Sequence, residues 1–324
     1  MASPLNGDRV FLTGATGFVG SHVLRELLAA GYAVRALARP SRVMLSEVEA
    51  RRTAEEERIE WVEGDLLRVG GFAAALRGCR YLVHCAALYS FAPRERKMAH
   101  AVNVDGTSGL MLAAYLGGAE RAVLTSSSAT LDHAHSGYHR SKLEQERAAF
   151  DARIPVVAIL PTAPVGPGDW KPTPTGKLIL DFARGKIVAR APGDGGMNLV
   201  AVEDVARAHV AALTRGAIGE RYVVGGEDLS MDRIWAMLAE ITGKPMPAWR
   251  APYALALAAG YADELRCRIS RRAVPNVPLE GVRMSRERMY ADSSAAQRDL
   301  GYDATPVRDA LERAVAWYRE SGYV

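Results

Sequence analysis

Arg9-Val-Phe-Leu-Thr-Gly-Ala-Thr-Gly-Phe-Val-Gly-Ser-His22 runs a short apolar strand, Val10 to Leu12, directly into Gly14-x-x-Gly17-x-x-Gly20. The chain has to turn sharply from that strand into a helix over about Phe18 to Ala30. Gly14 permits the turn, Gly17 lets backbone approach a pyrophosphate, and Gly20 lets the helix pack close to a sheet. The phosphates would then rest on unpaired N–H groups at the helix N-terminus, which makes Gly14, Thr16, Gly17, Phe18 and Val19 candidate dinucleotide contacts. Val19, Val23, Leu24, Leu27 and Leu28 form one apolar helix face, and Gly31 ends it. The competing reading, a glycine-rich turn that binds nothing, is weakened by the correct strand before the motif and helix after it.

The next strand, Ala33 to Ala38, leads into Arg39-Pro-Ser-Arg42. Enzymes that use NAD usually place an acid near this point for the ribose hydroxyls. No acid occurs between Gly31 and Ser46. A 2′-phosphate needs cations and hydroxyls, and guanidinium suits it. Arg39 and Arg42 are therefore read as 2′-phosphate ligands, with NADP(H) the preferred cofactor and NAD(H) the second. A solvated basic turn is the bland alternative. Arg35, alternating away from Ala36, is expected to be exposed.

Strand-like runs recur at Ile59–Val62, Tyr81–Cys85, Arg121–Thr125 and Val156–Leu160. Helical ones lie near Phe72–Arg77, Glu95–Leu116 and Tyr138–Ala152. This alternation predicts an α/β fold of Rossmann type, a doubly wound parallel sheet with a smaller, mainly helical C-terminal substrate lobe. Five prolines between Pro161 and Gly176 indicate a loop, and 185–198 reads as another. The expected division is a dinucleotide-binding domain over 1–161, with 199–226 returning to it, and a lobe from 162–198 and 227–324 that covers the open end of the sheet.

At 324 residues and 49% hydrophobic, the chain can bury a substantial core. A net charge of +4 with scattered basic residues argues against a nucleic-acid partner. Cys79, Cys85 and Cys267 form no metal or disulfide pattern, which is consistent with a reducing cytoplasmic location. The glycine strand begins too early to leave room for a signal peptide. The longest apolar run, Ala251 to Ala262, is too short for a transmembrane segment. A small-molecule substrate is expected; a homodimer is the candidate assembly.

Tyr138-His-Arg-Ser-Lys142 places Tyr138 and Lys142 one helical turn apart, on one face. A phenol ionises near pH 10. A neighbouring ammonium and an oxidised nicotinamide ring favour phenolate, so Tyr138 can act as acid or base beside the hydride carrier. The run Thr125-Ser126-Ser127-Ser128 ends the fifth strand, at the same edge, and a serine hydroxyl there can hold a substrate oxygen. Exposed helix pairs and strand-end serines are common; their order after a cofactor loop gives them weight.

With these residues in place, the chain resembles an extended short-chain dehydrogenase/reductase. The resemblance rests on Thr13-Gly-Ala-Thr-Gly-Phe-Val-Gly20, Gly64-Asp-Leu66, His84-Cys-Ala-Ala87, Asn103-Val-Asp-Gly-Thr107, Thr125-Ser-Ser127, Tyr138-x-x-x-Lys142 and Asn198-Leu-Val-Ala-Val-Glu-Asp-Val205. It covers nearly the whole chain and is nearest to the hopanoid-associated sugar epimerase group, with dihydroflavonol reductases and 3β-hydroxysteroid dehydrogenases as wider relatives. Trp170-Lys-Pro-Thr-Pro-Thr-Gly176, Gly219-Glu-Arg-Tyr222 with Gly225-Gly-Glu227, and Trp317-Tyr-Arg-Glu-Ser-Gly-Tyr323 are its specific markers.

The resemblance implies that Asp65 and Leu66 flank the adenine, that Ala86 and Ala87 line the ribose and pyrophosphate path, and that Asn103 supports active-site backbone. It further implies that Pro161 to Ala163 touch the nicotinamide and that Ser127 orients the substrate, with Ser128 as fallback. His84 and His133 read as structural histidines. Only ten residues separate Ser127 from Tyr138, a shorter excursion than such relatives have, so the pocket roof differs here.

The expected activity is NADP(H)-dependent interconversion of an alcohol and a carbonyl on a bulky, lipid-like or polycyclic substrate. The apolar stripe Pro252 to Leu265 is a candidate contact, though such a stripe can equally serve as core or dimer contact. A nucleotide-sugar epimerase or dehydratase is the first alternative; Arg268, Arg271, Arg272, Arg283 and Arg286 could then hold a diphosphate. The second is a cofactor-sensing regulator without catalysis.

Overall fold

The structure, a computed structural model, describes residues 8–39, 58–89, 95–131, 137–187, 189–190, 193–270 and 279–324. Two compact units are present. The first contains the N-terminal part to Pro164, Val202–Gly225 and Asp292–Ala304; the second contains Val165–Ala201, Gly226–Ala291 and Thr305–Val324.

The first unit is a Rossmann-type sheet of seven strands: β1 (Arg9–Thr13), β2 (Ala33–Ala38), β3 (Ile59–Glu63), β4 (Tyr81–His84), β5 (Arg121–Thr125), β6 (Val156–Pro161) and β9 (Arg221–Val224). Their order is β3-β2-β1-β4-β5-β6-β9. Every neighbouring pair is parallel. Thr13 is level with both Leu37 and His84, and Thr125 with Ile159. The chain moves outward from β1 to β3, then crosses back to place β4 on the other side of β1. This reversal opens a crevice at the carboxyl ends of β1 and β4, where ligands of such sheets bind.

One face of the sheet is covered by α1 (Phe18–Ala29), which packs against α6 (Val202–Ala211). The other buries Phe11, Leu82 and Leu124 with Leu110 and Met111 of α3 (Gly106–Leu116). Phe11 and Phe72 stack there with centroids 6.0 Å apart. The helical run before α3 is α2 (Arg96–His100) followed by a π-helical turn, Ala101–Asp105. The next helix, α4, spans Gly137–Phe150.

The helix expected near Phe72–Arg77 is instead a pair of 3₁₀ turns, Leu66–Gly71 and Ala73–Leu76. Gly70, Gly71 and Gly78 leave too few residues between them to offset helix nucleation. Arg35 is not an exposed residue. Its guanidinium bonds Glu60 at 2.7 Å and the carbonyl of Arg77 at 3.2 Å, and its side chain is largely buried.

After β6 comes a short strand, β7 (Ala163–Val165); in the second unit, β8 (Gly196–Ala201) pairs with β10 (Glu227–Ser230) and β11 (Arg288–Met289). The expected loop over 185–198 thus ends in strand, because Met197, Leu199 and their neighbours pair with β10. Around this sheet lie α5 (Pro174–Ala183), α7 (Met231–Thr242) and α11 (Val307–Glu320); α8 (Tyr253–Ile269) and α9 (Leu279–Met284) pack on each other, and α10 (Ser294–Leu300) belongs to the first unit. Phe182 stacks on Trp235 at 5.6 Å. Two markers of the resemblance meet in this unit. Trp170 packs edge-on to Trp317 at 4.8 Å, and Tyr323 donates to the carbonyl of Trp170 at 2.6 Å.

Candidate active site

The loop after β1 has the geometry a pyrophosphate requires. Gly14 has φ +76°, and a Cβ placed on it would lie 2.7 Å from the backbone nitrogen of Ala86. A Cβ on Gly20 would lie 2.0 Å from the carbonyl oxygen of Gly14. Gly17 caps α1 with extended backbone and no side chain across the end. The N–H groups of Phe18 and Val19, in the first turn, therefore face the crevice mouth without a capping side chain. Thr16, Phe18 and Val19 are half-buried and Gly17 is exposed. The loop after β4 closes the other side: Thr13 Oγ1 accepts from the N–H of Ala86 at 3.3 Å, Ala86 is half-buried and Ala87 exposed. These residues fit a dinucleotide.

The remaining cofactor candidates are spread along the same edge of the sheet. Arg39 is exposed at the end of β2; Arg42 lies outside the described residues. Glu63 is level with Ala38 on the adjacent strand. It is an acid one strand away from the basic turn, invisible to a search of the turn itself. Asp65 accepts from the N–H of Leu67 at 2.9 Å, capping the 3₁₀ turn, while Leu66 is buried in the core. Asn103, carried on the π-helical turn, accepts from the N–H of Leu88 at 2.7 Å and donates to its carbonyl at 3.1 Å and to Ser141 Oγ at 3.0 Å. It therefore ties the loop after β4 to α4. Pro161 is buried at the end of β6, and Ala163 is half-buried.

Lys142, the catalytic candidate one turn after Tyr138, is buried, with only 3% of it exposed. Its Nζ donates to the carbonyl of Thr125 at 2.7 Å and to Gln145 Oε1 at 2.6 Å. Burial lowers its pKa to about 8, opposed by Cys85 and Glu146. Burial also pushes the Cys85 thiol up to about 12. Tyr138 is the second residue of α4; its side chain lies outside the described set.

The three serines at the end of β5 separate by environment. Ser126 is buried and donates to Glu146 Oε2 at 2.6 Å. Ser127 caps the turn Ser128–Thr130, its Oγ accepting from the N–H of Ala129 at 3.3 Å. That bond uses a lone pair and leaves the Ser127 proton to donate. Ser128 is half-buried within the turn. Glu146 also accepts from Thr130 Oγ1 at 3.1 Å and pairs with Arg221, so this carboxylate is a structural anchor.

Beneath Lys142 runs a buried chain of polar groups. Gln145 Nε2 donates to Thr107 Oγ1 at 3.1 Å, and Thr107 donates to the carbonyl of Asn103 at 2.6 Å. Thr107 Oγ1 is therefore an acceptor for His84 Nε2 at 2.9 Å, while His84 Nδ1 accepts from Thr13 at 2.6 Å. The network assigns a neutral imidazole protonated on Nε2. Burial and Lys142 depress its pKa to about 3. His84 is thus a structural histidine; His133 lies outside the described residues. Gln145 is not among the residues the sequence points to, and Thr107 enters there only as the end of the Asn103 motif. The signal was their spacing from named motifs: Gln145 lies one turn after Lys142, and Thr107 one turn after Asn103.

A groove of about 550 Å³ also runs along Val104, Ser108, Leu112, Glu144 and Ala148. It lies on the flank of α4 away from Lys142, Gln145 and Glu146, which all turn inward.

Comparison with known proteins gives the family of the chain. Residues 10–225 match the model of the NAD dependent epimerase/dehydratase family. "Putative dihydroflavonol 4-reductase" of Synechocystis sp. is 37% identical, covering 98% of this chain and 96% of that one. "Sterol demethylase protein B" of Methylococcus capsulatus is 34% identical, covering 97% and 99%. The crystal structure of gox2253 superposes with a TM-score of 0.80 at 34% identity, covering 98% and 99%. No helix among the described residues is long and apolar enough to cross a membrane. With its glycine cradle at the β1–β4 crevice, the chain belongs to the NAD dependent epimerase/dehydratase family of extended short-chain dehydrogenase/reductases, which use a nicotinamide cofactor.

Proposed function

We propose that the chain is an NADP(H)-dependent oxidoreductase that interconverts an alcohol and a carbonyl on a bulky, largely apolar substrate. The observation that carries this reading is the buried Lys142 ammonium, held by Thr125 and Gln145 one helical turn from Tyr138. When bound, the nicotinamide gives or takes the hydride. In carbonyl reduction, Ser127 donates a hydrogen bond to the carbonyl oxygen and Tyr138 passes that oxygen its phenolic proton. Lys142, charged below a pH of about 8, stabilises the phenolate left behind. Solvent then returns the proton to Tyr138, and alcohol oxidation runs the same steps in reverse.

The 2′-phosphate would be held by Arg39 and Arg42, and Asp65, Leu66, Ala86, Ala87, Asn103, Pro161 and Ala163 would line the rest of the cofactor. Relatives named for sterol, ceramide and dihydroflavonol chemistry support a bulky apolar substrate. Structural neighbours that hold UDP-glucose with NAD keep a nucleotide-sugar epimerase as the second reading.

The test is calorimetry with NADPH and NADH, followed by turnover on sterol, triterpenoid and flavonoid ketones beside nucleotide sugars. NADPH should bind more tightly, and Arg39→Ala should weaken NADPH selectively, by about 1.5–3 kcal/mol for a charged hydrogen bond. Equal affinities would remove the cofactor preference. Conversion of a nucleotide sugar with no net change in cofactor redox state would replace the oxidoreductase by the epimerase. Binding of cofactor without turnover of any member would favour the regulator.

A further inference from the structure

Helix α8 of the second unit carries its apolar side outward. Leu255, Tyr261, Leu265 and Ile269 are 56, 54, 59 and 77% exposed. Alanines 254, 258, 259 and 262 are exposed between them. At the angular step of an α-helix all eight fall within one arc of roughly 160°, which one exposed cation, Arg266, shares with them. The inward side holds Gly260 and Asp263 together with half-buried Tyr253 and Leu257. A Cβ on Gly260 would lie 3.3 Å from the Cα of Leu279 in α9, and Asp263 is buried against Arg266 at 2.8 Å. Most of the large apolar side chains of α8 therefore lie on the side that does not pack.

The margin of the arc is cationic. Arg283 donates to the Tyr261 hydroxyl at 3.1 Å, and the Arg286 guanidinium sits 4.7 Å from the centre of the Tyr253 ring. The sequence from Asp263 to Arg288 holds seven arginines against four acids, with Arg271 and Arg272 outside the described residues. We propose that α8 is a membrane-docking face that lays its apolar arc into an anionic lipid surface, with the bordering arginines at the headgroups. Asp263, Glu264 and Arg266 interrupt the 17 residues of α8, so it lies in the interface and does not span it. Arginine stems cover apolar surface while their heads reach phosphate. A second copy of the chain would bring the same arginine-rich margins together, whereas an anionic surface neutralises them. The inference goes beyond the catalytic reading and requires neither the cofactor nor the substrate assigned there.

The experiment is flotation of the full chain with phosphatidylcholine vesicles, with and without phosphatidylglycerol. Binding is expected to the anionic vesicles and to weaken with salt. Leu265→Ser with Ile269→Ser should lower partitioning about tenfold or more. Arg283→Glu with Arg286→Glu should lower it by about fivefold per arginine, on anionic vesicles alone. Thermal midpoint and near-ultraviolet circular dichroism report whether each variant is folded, and the arginine pair keeps the test intact if the apolar pair unfolds. Absence of wild-type binding to either vesicle overturns the proposal, as does binding that survives both pairs of changes. A concentration-dependent dimer that dissociates in the Leu265→Ser, Ile269→Ser variant, without vesicle binding, gives the face to a second copy and also overturns it.

Discussion

A buried ammonium is costly unless its protons find acceptors. Lys142 has two, the carbonyl of Thr125 and the amide oxygen of Gln145. Because Gln145 is neutral, it holds Lys142 without raising its pKa, which stays at about 8. Carbonyl reduction should therefore decline as pH rises through about 8, when Lys142 loses its charge. Gln145→Glu puts a carboxylate at the same distance and should move that alkaline limb upward; an unmoved limb in the kcat/KM profile would show that Lys142 does not set it. Tyr138→Phe should leave cofactor affinity near wild type while turnover falls about 10²–10⁴-fold, the usual worth of a general acid. Near-native turnover of that variant on its substrate would require another proton donor.

Among the elements, the β1–α1 loop is the least tolerant. Gly14→Ala would place a methyl group on the Ala86 backbone in a positive-φ residue, so cofactor affinity should fall sharply and the thermal midpoint with it. Gly70→Ala meets nothing within 4 Å and serves as the mild comparison for both readouts. Two histidines are buried beside strand ends: His84 closes β4, and His209 of α6, whose Nδ1 donates to the carbonyl of Val205 at 2.7 Å, accepts on Nε2 from Thr125 at the end of β5 at 2.7 Å. Their pKa values, about 3 and about 4, lie below the unfolded value near 6.5. Between those limits the unfolded chain binds protons that the folded chain refuses. Stability should thus fall as pH drops from about 6.5 toward 4, by about 1.4 kcal/mol per pH unit for each histidine. Urea midpoints at several pH values check this, and His84→Gln should remove about half of the histidine contribution.

At the scale of the molecule, the first unit is assembled from three separated pieces of chain. Asp292–Ala304 returns to it from the far end of the sequence. Leu300 is buried there, and the Tyr302 hydroxyl donates to the carbonyl of Gly225 at 3.0 Å and accepts from its N–H at 3.2 Å. Tyr302→Phe should remove a hydrogen-bond partner from both the N–H and the carbonyl of Gly225 and cost about 1–3 kcal/mol, and Leu300→Ala about 2–5 kcal/mol. Thermal melts that show either change as neutral would mean that the returning segment adds little to the sheet.

What the sequence by itself determined is local. The strand–glycine–helix turn, the parallel alternation and the one-turn spacing of Tyr138 and Lys142 are all set by neighbours along the chain, whose backbone sterics and hydrophobic period need no distant partner. The tertiary structure alone decided matters that depend on contacts across long loops. It put Glu146 on Ser126 and Arg221, which distinguishes one strand-end serine from the next. It buried Arg35 on Glu60, joined Gln145 to Lys142 and Thr107, and drew Asp292–Ala304 back to the sheet. It also turned the apolar stripe of α8 outward, because Gly260 and Asp263 occupy the side that packs. A polar residue's role depends on which group it meets when water is excluded, and that partner is chosen by packing, not by spacing along the chain.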